Sequence, residues 1–126
     1  MELNVQPCLP GTVVAVNVGP ITHVGVVTEK IVDGLPTVIS NSMRAGGVAE
    51  EPLGLFANGG QVWLLGYVGR LSPHEVMERA RSQIGKQWNL FWNCEHLVRW
   101  VHGLKPESTQ LVMGAALVAT LSLAVA

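Results

Sequence analysis

Nine residues in the second half of the chain, Trp92-Asn-Cys-Glu-His-Leu-Val-Arg-Trp100 (W-N-C-E-H-L-V-R-W), decide how the rest is read. Asn93 is a strong helix N-cap residue, and after it Leu97, Val98, Val101 and Leu104 recur at helical spacing until Gly103 and Pro106 stop the helix. Cys94 therefore falls in the first turn. A thiol there meets unpaired backbone N–H groups and the positive end of the helix dipole, which favour the thiolate and offer donors to an oxyanion. Glu95 is comfortable at the same helix start, and its expected role is structural. His96, two positions from Cys94, points away around the helix, so a partner base must come from elsewhere.

Upstream, Ser72, Pro73 and Glu75 form a capping-box helix start. Val76, Ala80 and Ile84 line one face of that helix and Gly85 ends it. The connector K-Q-W-N-L-F-W (86–92) leads to Asn93. Trp88, Trp92 and Trp100 flank the cysteine, a set that fits either core packing around a helix start or the wall of a groove.

The first half reads as β structure. Thr12 to Val18, Thr22 to Thr28 and Pro36 to Ser40 are three short strands separated by Gly19-Pro20 and Asp33-Gly34 turn signals. They follow one another closely, as a meander and not as a βαβ repeat. Asn41 to Gly60 reads as a long glycine-containing loop, either a surface excursion with a short strand or turn inside it or a substrate gate. Gln61 to Val68 is a fourth strand whose near-continuous apolarity suggests burial on both faces. The expected class is α+β: a small antiparallel sheet followed by helices, in one domain over residues 1–106, with 107–126 as an apolar tail.

At 126 residues there is room for one core only, and a net charge of −1 with dispersed Lys and Arg argues against nucleic acid as a partner. The N-terminus has neither the basic nor the apolar region of a secretory signal, so a cytoplasmic, reducing setting is expected, with Cys8 and Cys94 as free thiols. Leu111 to Ala126 carries no charge. As a helix it would be about 24 Å long against a hydrocarbon core of about 30 Å, so membrane contact and packing on protein both stay open.

A thiol nucleophile needs a base. His23, on the second strand among apolar neighbours, is the candidate, although a packed cysteine and a hydrogen-bonded core histidine fit the same spacing. His74 and His102 are expected to be solvated. No zinc-ligand spacing connects His23, Cys94, His96 and His102, and no cofactor is expected.

N-C-E-H at Asn93 to His96, H-V-G-V-V at His23 to Val27 and the opening P-G-T-V-V at Pro10 to Val14 together resemble the lecithin retinol acyltransferase-like family, which includes the H-Ras-like suppressor phospholipases and acyltransferases. The resemblance runs from about Pro10 to Val101. It implies a circularly permuted papain-like fold, with the base histidine on the sheet and the nucleophilic cysteine later, at a helix N-terminus. It implies a thioester formed on Cys94 from a phospholipid or other acyl donor, His23 as base, and transfer to water, an amine or an alcohol. Asn93, Glu95 and Asn41, with the Cys94 backbone N–H, would support the oxyanion side.

Where the family places a second histidine, this chain has Ser40, followed by Asn41. Adjacent strand residues face opposite ways, so only one of the two can point at His23, and alignment favours Ser40. The loss of the second imidazole brings in a reading from another class, a catalytically weak or inactive membrane-associated interaction module. A papain-like amidase or peptidase keeps the same Cys94 and His23 pair.

Overall fold

The computed structural model describes residues 9–90 and 92–108. Alternating β-branched residues build strands β1 (Val13–Val18) and β2 (Ile21–Val32), joined through the Gly19-Pro20 turn, and β3 (Leu35–Ser42) follows the Asp33-Gly34 turn. Segment 41–60 is not a single long loop: it completes β3 and then forms β4 (Gly47–Pro52) and a short helix α1 (Leu53–Ala57). β5 (Val62–Gly66), α2 (Pro73–Ser82) and α3 (Cys94–Val101) complete the described elements. The class is α+β, with a five-stranded antiparallel sheet in the order β4-β3-β2-β1-β5.

This order corrects the expectation for the fourth predicted strand. β5 pairs only with β1 and closes one edge of the sheet, leaving Trp63, Leu64 and Leu65 exposed instead of buried on both faces. α2 begins at Ser72, whose hydroxyl accepts from the Glu75 N–H at 3.2 Å, as its sequence announces. It ends at Ser82, before the third turn of the apolar stripe can bury Ile84, which is exposed.

The two sides of the sheet carry separate cores. Val13, Ala15, Val24, Val26, Ile39 and Val48 face α2 and α3, packing on Val76, Ala80, Cys94, Leu97 and Val101. Val14, Val16, Val27 and Val38 point the other way, onto Leu53 and Phe56 of α1. Strand parity alone separates these sets, because successive side chains leave a strand on opposite faces. Gly25 sits where β2 and β3 run closest: a Cβ there would lie 2.6 Å from Val38 Cγ1 and 2.9 Å from the Ile39 carbonyl.

None of the described helices is long and apolar enough to cross a membrane. The apolar tail Leu111 to Ala126 and Cys8 lie outside the described residues.

Candidate functional site

Cys94 is the first residue of α3, as the Asn93 cap requires. The Asn93 Oδ1 accepts from the N–H groups of Glu95 (3.0 Å) and His96 (3.3 Å), and the Asn93 N–H donates to His96 Nδ1 at 3.0 Å. This reciprocal cap satisfies three of the helix's orphan donors, the N–H groups of Asn93, Glu95 and His96, and leaves the Cys94 N–H outside it. It also occupies His96: with Nδ1 accepting, the ring is neutral and stacked on Trp92, and burial pulls its pKa down. His96 is therefore a capping residue.

The helix start is tied to the sheet from β3. Asn41, 0% exposed, donates its side-chain N–H to the Trp92 carbonyl at 2.6 Å, while its Oδ1 is buried without a partner among the described residues. Asn41 pairs with Val48 in register, which puts it on the α3 side of the sheet together with Cys94. Glu95, the third supporting residue of the sequence reading, accepts from the Ser108 hydroxyl at 2.7 Å and so fastens the chain beyond α3 to the helix start.

His23 is elsewhere. It pairs with Val16 in the β1–β2 register, its ring stacks on Phe56 with centroids 5.0 Å apart, and both Val16 and Phe56 belong to the α1-side core. Its neighbour Val24 belongs to the Cys94 side. The imidazole and the thiol thus lie on opposite faces of β2, and no hydrogen bond joins them among the described residues. Ser40, opposite Gly25 in register and one row from His23, shares the His23 face, whereas Asn41 does not. No hydrogen bond connects Ser40 to His23 among the described residues.

The electrostatics follow this separation. Burial pushes the Cys94 thiol above its ordinary range and Glu95 adds to the effect, while hydrogen bonding from the backbone N–H groups of Val24, Glu95 and Cys94 itself pulls the other way and loses. His23 is lowered to about 4, chiefly by burial and then by the Arg44 guanidinium, with Glu51 partly opposing. Arg44 and Glu51 are themselves an ion pair in which one guanidinium nitrogen, Nη2, donates to both carboxylate oxygens, at 2.7 and 2.9 Å. At neutral pH the site rests as a protonated thiol and a neutral imidazole.

Two features escaped the sequence reading. His102 is buried, not solvated: its Nε2 donates to the Gly11 carbonyl at 2.7 Å, Tyr67 packs edge-on against the ring, and Gly69 leaves room that a Cβ would take. His74, by contrast, is exposed beside Glu78 as expected. The tryptophans are bound to cations, Arg79 lying 4.0 Å from the Trp100 ring centroid and Lys86 3.9 Å from that of Trp92. Among the described residues no group of three or more His, Cys, Asp or Glu side chains is placed to hold a metal. An open cleft beside α2, lined by Glu29, His74, Met77 and Arg81, includes neither Cys94 nor His23. Comparison with protein-family models and with curated proteins finds no match to the chain.

Proposed function

We propose that the chain is a cysteine-dependent acyltransferase or phospholipase A-type lipid hydrolase of the lecithin retinol acyltransferase-like, permuted papain-like kind. The observation that carries this reading is the seat of Cys94: first residue of a reciprocally capped helix, packed on the central strand β2, with the Cys94 backbone N–H uncapped beside it. In the proposed reaction the Cys94 proton passes to His23 and the sulfur adds to an ester carbonyl. The ester C–O bond then breaks, the leaving alcohol takes the proton from His23, and the acyl group remains on sulfur as a thioester. Water, an amine or an alcohol releases it. The Cys94 N–H donates to the oxyanion, and Ser40 shares the sheet face on which His23 rests before it moves.

The reaction requires His23 to reach the thiol's side of the sheet. The β2–β3 pairing adjoining the site ends at Gly25–Ser40, so the stretch from Ile21 to Val24 is paired with β1 alone, and the reaction needs this stretch to give up that pairing. A second reading, an inactive interaction module, is favoured by the same cross-sheet separation and by the raised thiol. Intact-mass spectrometry after incubation with phosphatidylcholine vesicles separates the two, using wild type, Cys94→Ser and His23→Ala. An acyl-sized, hydroxylamine-labile adduct in wild type, absent from Cys94→Ser and reduced about 100-fold or more in rate in His23→Ala, supports the enzyme. No adduct in wild type sinks it and leaves the module.

A further inference from the structure

We infer that the segment Ile84 to Leu90, together with Trp92, is the surface by which the protein meets a lipid bilayer; the choice of a bilayer as occupant rests on the lipid reading above. Asn89 and Trp92 bond each other in both directions, Trp92 N–H to the Asn89 carbonyl at 3.1 Å and Asn89 N–H to the Trp92 carbonyl at 3.4 Å, and Leu90 beside them is 52% exposed. The stretch leading to them is rigid. Gly85 N–H donates to the Val48 carbonyl and Val48 N–H to the Lys86 carbonyl, each at 2.9 Å, which laces the segment along the free edge of β4. Gly47 permits this approach, since a Cβ there would stand 2.2 Å from the Lys86 carbonyl oxygen.

The chemistry of the segment matches a headgroup region. Ile84 and Leu90 are exposed aliphatics, Trp88 and Trp92 are half-buried, and Lys86, lying over the Trp92 ring, is the sole charged residue between Ile84 and Asn93. Tryptophan settles at the membrane interface with its ring in the headgroups, and a lysine complements anionic lipid while its stem runs along apolar surface. The other large apolar exposure, on β5, is built differently: Trp63 and Leu64 alternate to opposite faces of an edge strand, so one bilayer plane cannot take both. Docking through Leu90 also brings lipid to a residue three positions before the Asn93 cap of α3, where Cys94 stands.

Flotation of the full chain with vesicles of phosphatidylcholine, and of phosphatidylcholine mixed with phosphatidylglycerol, tests this. Leu90→Asp is expected to lower partition on both by about tenfold or more. Lys86→Gln lowers it roughly fivefold on the anionic vesicles only. Leu65→Asp on β5 leaves it unchanged. Amide exchange over residues 84–90 slows when vesicles are added. Unchanged partition of Leu90→Asp, unchanged exchange in this segment, or an equal loss in Leu65→Asp overturns the inference, the last by placing the membrane face on β5. Partition is read without any acyl transfer, so its outcome and that of the thioester assay fail separately.

Discussion

The two faces of the sheet are made from alternate residues of the same strands, yet they carry different halves of the proposed chemistry. On the α3 side stand Cys94, the Asn93 cap and Asn41, the last two tied to the helix start by hydrogen bonds, with burial holding the thiol protonated. On the α1 side stand His23, Ser40 and the Arg44–Glu51 ion pair, with the imidazole held neutral against Phe56. Motifs that follow one another closely in a linear pattern are divided by the period of two along β2. A thiol and an imidazole one strand position from contact are chemically independent until the backbone between them turns.

The comparison is most strongly challenged by pH. His23 titrates near 4 in the folded chain and near 6.5 when unfolded, so between these values the unfolded chain binds more protons and stability falls as pH falls. The loss is on the order of 3 kcal/mol by pH 4. Burial lowers His96 and His102 too, and both act in the same direction. Urea melts of wild type and His23→Gln from pH 7 to 4 should show the variant losing much of that slope. An equal slope would mean that His23 is solvated and the α1 face open.

Packing gives the next effect. Gly25→Ala drives a methyl into Val38 and the β3 backbone on the His23 face, and about 2 kcal/mol of destabilisation is expected from thermal unfolding. The neighbouring pair on β3 sharpens the contrast. Asn41→Ala removes the donor to the Trp92 carbonyl and should cost about 2 kcal/mol, whereas Ser40→Ala, with no hydrogen-bonded side-chain partner to orphan among the described residues, should cost under about 1 kcal/mol. Equal costs would place both residues in one network and remove the division between faces. The smallest effect is at the cap of α2: Ser72→Ala should cost about 1 kcal/mol and leave Cys94 reactivity as it is.

Local signals made much of this legible. Ser72 and Asn93 announced their helices because a cap is a contact within one turn, and the first three strands followed from β-branched runs between glycine and proline turns. β4 was hidden because Glu50 and Glu51 break its apolar alternation; they are tolerated through Arg81, Thr37 and Arg44, all distant in sequence. β5 looked buried because apolarity was legible and its place at the sheet edge was not. The parity of β2 explains the site: Val24 and Val26 alternate with Gly25 and Val27, both rows are buried, and nothing local says which row meets α3. The choice of Ser40 over Asn41 for the His23 face was within reach of alternation, but the binding of Asn41 to the Trp92 carbonyl spans 51 positions and was not.

The separation of thiol and imidazole in the resting chain is tested most directly by the pH dependence of iodoacetamide labelling at the peptide containing Cys94, in folded wild type and His23→Ala. The expected result is slow labelling at neutral pH that rises in one step with a midpoint above the ordinary thiol value of about 8.5, at the same place in both proteins. Fast labelling of wild type near neutral pH that disappears in His23→Ala would contradict it, because only an imidazole in contact with the sulfur produces that pair of results.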